Sequence, residues 1–236
     1  HARFVCISDT HSQTNKMNVL PDGDVLIHAG DFTNVGRPKE VDEFNEWLGK
    51  QPFQYKIVIA GNHELTFDQE LVKAGTSPVW QSYFRSTSAA SVANIHEKLT
   101  DCIYLLDEHI NILGFNIYGS PWQPEFCDWG FNLPRGEQLL QTWNKIPDDT
   151  DILITHGPPI GHGDKTNDSI RAGCVELLST IQQRVKPKYH IFGHIHEGYG
   201  ISTDGVTTYI NASICTFNYR PTNLPIIFDL PMQKKK

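Results

Sequence analysis

The chain has 236 residues and a mass of 26.7 kDa, with 39% hydrophobic, 11% aromatic and 20% charged residues, an ordinary globular composition. That length supports one well-buried core, so the expectation is a single domain over residues 1–231 with a basic tail at 232–236. A net charge of −7 argues against a surface for nucleic-acid polymers, and no run approaches the roughly 18 apolar residues of a membrane span.

In chain order, the first apolar run, Arg3–Ser8, ends on Asp9 and His11 in SDTH. The second, Val25–Ala29, ends on Asp31 in AGDF. Val41, Phe44, Trp47 and Leu48 then recur at helical spacing between Pro38 and Gly49, which predicts a short amphipathic helix. The third apolar run, Lys56–Ala60, ends on Asn62 in AGNHE. Residues Leu65–Lys98 are polar and rich in Ser and Ala, and read as a helical or irregular cap on one side of the site.

Three short strands are expected next, Tyr104–Asp107, Ile110–Leu113 and Asn116–Gly119, with turn residues between them that suggest antiparallel pairing. A helix marked by Leu139, Leu140, Trp143 and Ile146 stops at Pro147. Ile152–Thr155 ends on His156 in THGPP. A second helix, marked by Val175, Leu177, Leu178, Ile181 and Val185, stops near Pro187, and Tyr189–Phe192 ends on His194 and His196 in FGHIH. Gly200–Thr203, Thr207–Asn211 and Ile226–Leu230 read as a further antiparallel group. A mixed sheet or two packed sheets with helices outside, an α/β arrangement, fits this order better than a purely parallel sheet. Cys6, Cys102, Cys127, Cys174 and Cys215 form no CxxC pair and read as reduced thiols in a cytoplasmic setting.

Five apolar runs thus each end on metal-ligand types, and polar groups beyond the carboxyl ends of strands converge in α/β sheets. Singly each residue has a bland reading as a cap or a surface histidine. Seven together do not, because burying so many ionisable groups without metal would be very unfavourable. The expected ligands are Asp9, His11, Asp31, Asn62, His156, His194 and His196. Asp9 and His11, two apart in an extended segment, would point the same way and grip one ion. Asp31 is the candidate bridge between two ions, and Asn62 and His156 complete the second site. Two divalent ions about 3.5–4 Å apart neutralise phosphoryl oxygens and make hydroxide available near neutral pH. Mixed N and O ligands suit Mn, Fe, Zn or Co better than Ca.

His63 adjoins the ligand Asn62 without being needed as one, and its expected work is transition-state stabilisation or protonation of the leaving alkoxide. Glu64 is expected to hold its other ring nitrogen. His28 reads as a core histidine, and His96, His109 and His190 as surface or strand-end residues. His162, in GHG, is a candidate for a substrate phosphate. Trp129 and Arg135, in a loop that also carries Trp122, Phe126, Phe131 and Asn132, are candidates for stacking a planar leaving group and for binding phosphate or ring, with a satellite cluster that packs the loop onto the fold as an equal alternative. Asn211 is a candidate for orienting the GHIH turn or lining the pocket, and Tyr199 for a pocket wall.

SDTH, GD, GNHE, THG and GHIH, in this order from Asp9 to His196, resemble the five motif blocks of the calcineurin-like metallophosphoesterases. The flanking text FVCISDTHS, YKIVIAGNHELTFD, WGFNLPRG, THGPP, HEGYG and TTYINAS is similar to the small brain-enriched metallophosphoesterase-domain proteins of animals, which are class III cyclic-nucleotide-phosphodiesterase-like. The resemblance implies a two-sheet β-sandwich flanked by α-helices, two divalent metals with Mn preferred, and phosphodiesterase activity with weak substrate preference, cyclic nucleotides included. In some relatives Gly replaces the first His of the GHxH block and weakens metal binding; here His194 is present. The implied partner is a small phosphodiester or nucleotide. Two alternatives stand beside it: a scaffold that kept fold and metals but lost turnover, and a phosphomonoesterase or protein phosphatase. The latter class carries GDxxDRG, whereas this chain continues GDFTNVG without that Arg.

Overall fold

A computed structural model describes residues 1–232; Lys234–Lys236 of the expected basic tail lie outside the described residues. The elements run β1 (Ala2–Ile7), β2 (Val25–His28), α1 (Pro38–Gly49), β3 (Tyr55–Val58), α2 (Gln69–Ala74), α3 (Pro78–Phe84), β4 (Ile103–Tyr104), β5 (Glu108–Ile112), β6 (Phe115–Ser120), β7 (Gln123–Pro124), β8 (Asn132–Leu133), α4 (Glu137–Trp143), β9 (Ile152–Thr155), α5 (Val175–Thr180), β10 (Tyr189–Phe192), β11 (Gly200–Thr203), β12 (Thr208–Asn211) and β13 (Ile226–Leu230). One sheet has the order β13-β1-β2-β3-β4 and another the order β11-β12-β10-β9-β6-β5, with β7 and β8 paired separately.

The five ligand-bearing runs are the central parallel strands of these two sheets: β1 to β3 in one, β9 and β10 in the other. Their continuous apolar character follows from burial on both faces. Along β1, Phe4 and Cys6 point to the second sheet and pack with Ile27, Ile57, Ile117, Ile154 and Ile191, whereas Val5 and Ile7 point outward to Val41, Phe44 and Leu48 of α1. The outer face of the second sheet, with Leu153, Phe192 and Tyr209, is covered by Leu139 and Trp143 of α4 and Leu177 of α5. Each fully buried Ile or Leu contributes about 1.5–3 kcal/mol relative to exposure. The result is the expected mixed α/β sandwich with helices outside both sheets.

Three boundaries differ from expectation. β4 is only two residues long and pairs parallel to β3, because the chain turns at Asp107, whose φ is 54° and whose carboxylate is held by Ser120, Trp122 and Lys145. β13 pairs antiparallel with β1 across in the other sheet, and only β11 and β12 pair with each other. The second long helix is α-helical to Thr180 and continues as a π-turn to Val185, where Lys186 turns left-handed before Pro187. The 65–98 segment folds as α2, α3 and two 3₁₀ turns around Leu65, Val72, Trp80, Phe84 and Val92. Among the described residues no helix is long and apolar enough to cross a membrane.

Candidate metal centre

All five central strands end at the same edge of the sandwich. An isolated bridge, Ser8 to Ser213, ties the end of β1 to the segment after β12 in the other sheet. Beyond the strand ends the backbone turns sharply. Asp9, His11, Asp31 and His194 all have left-handed φ, at 51°, 42°, 56° and 66°. Asp9 and His11 therefore do not share an extended segment, as expected from their spacing; a turn aims them together, with their amides donating to the carbonyls of Gly30 and Asp31.

Asp9, His11, Asp31, Asn62, His156 and His196 are buried and His194 is half-buried. Their polar atoms fall into sets that could each hold an ion: Asp9, His11 and His196; Asp31, His156 and His194; and His11, Asp31 and His63. Asp31 belongs to two of them, as a bridging group must. Asn62 Oδ1 lies 2.9 Å from His156 Nε2 and 2.8 Å from His194 Nδ1, inside the second set.

Hydrogen bonds to backbone carbonyls show which ring nitrogens face inward. His156 Nδ1 donates to Ala29 O at 2.9 Å and His196 Nδ1 to Thr216 O at 3.0 Å. Each carbonyl holds Nδ1 and so turns Nε2 inward, the nitrogen that would meet a metal ion. His196 Nε2 then faces His11 Nε2 at 3.2 Å, and His156 Nε2 faces Asp31 Oδ2 at 3.3 Å. Lone pairs and carboxylate oxygens converging in a buried space repel one another unless a cation lies among them, so the donor set fits divalent metal.

The electrostatics agree. Burial would raise both carboxyls, but His196 and His156 beside Asp9, and His156, His63 and His11 beside Asp31, hold them below the usual carboxylate range. Burial pushes His11 and His194 down to about 3, which keeps them neutral and available as ligands. His156 also loses hydration, yet Asp31 and Asp9 draw a proton onto it and raise it to about 9; a bound cation takes over that attraction.

His63 adjoins the ligand set. Its Nδ1 donates to the Asn34 carbonyl at 2.7 Å, its Nε2 lies 3.9 Å from Asp31 Oδ2, and Trp129 stacks on its ring with centroids 4.2 Å apart. Glu64 does not hold the His63 ring, contrary to expectation. Its carboxylate instead accepts from the amides of Asp31, Thr33 and Gly61 and from the Thr33 hydroxyl, bracing two ligand loops at once. Burial and the charge of Asp31 favour a proton on Glu64. The three amides and the Thr33 hydroxyl that surround it oppose this shift and favour the carboxylate.

A cleft of about 590 Å³ opens beside the centre, lined by Asp31, Asn62, His63, His194 and His196 at one end. Its other walls carry Phe126, Arg135, Ile170, Arg171, Phe217 and Tyr219. His162 does not reach it: the ring stacks on Tyr209 at 3.7 Å and bonds Ser202. Asn211 is buried and donates to Gly163 O and Ile195 O, so it holds the GHIH turn and does not line the cleft. Arg135 lines the wall while its fork donates to the carbonyls of Ala172 and Gly173. Trp129 is not a lining residue. Tyr199 packs on the core and donates to Leu224 O, and Trp122 donates to Asp107.

His28 is the expected core histidine, bonded to Thr10 at 2.9 Å. His190 is not a surface residue; it is fully buried and meets the Thr155 hydroxyl at 2.8 Å. Residue patterns missed Tyr219, whose ring packs edge-on against His11 and His196 at 4.8 and 5.2 Å. It sits in a segment with no periodicity and no motif. Asn34, the fifth position of GDFTN, was also missed, because it meets His63 through its backbone carbonyl and its residue type carries no signal for that.

A two-sheet α/β sandwich that brings a carboxylate-centred, acceptor-only set to one cleft defines a dinuclear metallohydrolase. Residues 2–198 match the model of the calcineurin-like phosphoesterases, and the chain belongs to that family of metal-dependent phosphoester hydrolases. The chain is 57% identical over 237 residues to metallophosphoesterase domain-containing protein 1 of Homo sapiens, covering 98% of this chain and 72% of the human one. It is 49% identical over 240 residues to a UPF0046 protein of Caenorhabditis elegans, covering 98% and 61%. A solved structure at 16% identity superposes with a TM-score of 0.63 over 92% of this chain and 91% of its own, a likeness of fold.

Proposed function

We propose that the protein is a phosphodiesterase acting on small diesters, cyclic nucleotides among them, with Mn as the working metal. The observation that carries this reading is the cleft. Beyond the ligand set it continues past the exposed side chains of Phe126, Ile170, Phe217 and Tyr219, room that suits the second arm of a diester. In the protein-phosphatase motif an Arg precedes the final Gly, where this chain has the buried Val35 before Gly36, so a cation suited to a phosphomonoester dianion is missing there.

Asp9, His11 and His196 would hold one ion and Asn62, His156 and His194 the other, with Asp31 between them. When bound, the ions neutralise the phosphoryl oxygens and lower the pKa of water, so that a nucleophile is available near neutral pH. His63, tethered through Nδ1, turns Nε2 to the same side as Asp31 Oδ2 and is the group that gives a proton to the leaving alkoxide. A cytoplasmic setting belongs to the same reading and rests on five free cysteines.

The test compares an aryl diester, a 2′,3′-cyclic nucleotide, an aryl monoester and a phosphopeptide with added Mn. The diesters should lead in kcat/KM by roughly 10-fold or more. A lead for the monoester or phosphopeptide would make the protein a phosphatase, and absence of turnover on all four would favour a scaffold.

A further inference from the structure

The WGFNLPRG loop was expected to offer its aromatics to substrate, yet Trp129 presents a ring face to His63, at 28° to the imidazole plane and 4.2 Å between centroids. Three side-chain-bearing residues at and just before the start of this loop are left-handed: Cys127, Asp128 and Phe131, with φ of 50°, 56° and 55°. Such conformations are strained and persist only where surrounding contacts dictate them.

The contacts that dictate them converge on the segment carrying Asn62 and His63. The Gly130 amide donates to the Asn62 carbonyl at 3.0 Å, and a Cβ on Gly130 would lie 3.1 Å from that oxygen. The Phe131 amide donates to Asp68 Oδ2 at 2.8 Å, while Asp68 Oδ1 caps α2 through the amides of Glu70 and Leu71. Trp129 also packs against the apolar cluster of α2 and α3 that contains Val35, Leu65 and Trp80. The loop is therefore pinned at the two residues that follow Trp129, and the pins are the ligand segment and the cap.

A histidine ring held by one hydrogen bond keeps a soft χ2 torsion, because terminal sp³–sp² torsions are broad. The Asn34 carbonyl fixes one edge of His63, and rotation about the remaining torsion would swing Nε2 away from Asp31. A flat surface against one face removes that freedom.

We propose that Trp129 is a positioning residue: held by the cap and by the Asn62 carbonyl, it fixes the plane of His63 so that Nε2 faces the leaving group. The inference rests on the reading of His63 as proton donor. It accounts for the 65–98 segment as part of the reaction machinery, since that segment anchors the aromatic platform behind the acid.

The test is a mutant cycle read on two substrates, a nitrophenyl diester and a 2′,3′-cyclic nucleotide, with bound Mn and thermal melting measured for each variant. Trp129→Ala should lower kcat on the cyclic nucleotide by roughly 10-fold, with KM changed by less than about 2-fold and Mn content retained. The loss should be smaller on the nitrophenyl diester, whose leaving group needs little protonation, a selectivity that a purely structural role would not give. Trp129→Phe, which keeps a flat ring, should recover most of the rate. Trp129→Leu, which keeps apolar volume alone, should not, and this pair carries the test if the alanine variant unfolds. In a His63→Ala background Trp129→Ala should add little, because residues acting through one another are not additive.

Full additivity, or a rise in KM at constant kcat, would overturn the inference and make Trp129 a substrate platform. Equal rates for the Leu and Phe variants would overturn it as well. An impaired His63→Ala with an unimpaired Trp129→Ala would overturn this inference alone. An unimpaired His63→Ala would overturn the reading of His63 on which it rests.

Discussion

Gly61→Ala should disable the metal centre without altering a ligand. A Cβ at Gly61 would lie 2.6 Å from both the Asp31 amide nitrogen and His156 Cε1, and closer still to Asp31 Oδ1. Ordinary contact begins at 3.4 Å, so the His156 ring and the Asp31 backbone must each retreat by about 0.8 Å. Gly61 is not among the glycines with positive φ, and the penalty is therefore steric. A misplacement near 1 Å costs about 10²-fold in rate. Overpacking costs about 1–3 kcal/mol of stability, which lowers Tm by roughly 2–12 °C for a chain of this size. Turnover on an aryl diester, Mn bound after dialysis and a thermal melt measure the three effects. Wild-type Mn stoichiometry together with wild-type turnover would refute the argument, since Asp31 and His156 would then tolerate displacement and could not be the ligands proposed.

Asp31→Asn should remove most activity and lower metal content in a folded protein; full turnover with normal stoichiometry would rule out the bridge. His194→Gly should weaken metal affinity by roughly 10-fold or more and make activity depend on added Mn, and an unchanged Mn titration would remove His194 from the ligand set. Glu64→Gln should destabilise by about 1–3 kcal/mol, because an amide nitrogen would face donors that now meet carboxylate oxygen. An unchanged melt would mean that Glu64 carries a proton in the native protein. Mn at 100 times its Kd should stabilise the wild-type protein by about 2.7 kcal/mol, and an equal gain in Asp31→Asn would place the stabilising ion elsewhere.

The strands and ligand types were legible because both leave local marks. A strand buried on two faces is a continuous apolar run, as in Val25–Ala29, and each run stops at a chemically distinctive residue. Pairing partners were not legible in the same way. β13 reads like a neighbour of β12 by proximity in sequence, but its pairing with β1 closes the edge of the other sheet, a choice made by the tertiary core of Phe4, Phe115 and Phe228. The roles of Glu64 and Trp129 were misread, and that of Asn211 was left open between turn and pocket, for a related reason. Sequence gives the residue type, and each of these types suits substrate or catalyst as well as scaffold; only the partner decides. Glu64 found four donors, Asn211 two carbonyls, and Trp129 an imidazole.

Left-handed backbone at Asp9, His11, Asp31 and His194 was invisible to composition and spacing, and it explains how the ends of β1, β2 and β10 turn their side chains into a cage. A residue continuing a strand points its side chain to one of the two sheet faces, into packed core. One left-handed residue just past the strand end turns the side chain back over the edge, toward the other sheet. Each such turn costs of order 1 kcal/mol, and each here is bound by specific contacts: Asp9 N to Gly30 O, His11 N to Asp31 O, Asp31 N to Glu64, and His194 N to Asp9. Two of these four contacts, His11 to Asp31 and His194 to Asp9, have a proposed ligand at both ends, so these ligands hold one another's backbone. Strain and buried acceptors are thereby gathered at one edge of a sandwich that is otherwise apolar between its sheets. Cations that neutralise those acceptors act on the least relaxed part of the fold, so metal loading and native stability are coupled through the same residues that would carry the chemistry.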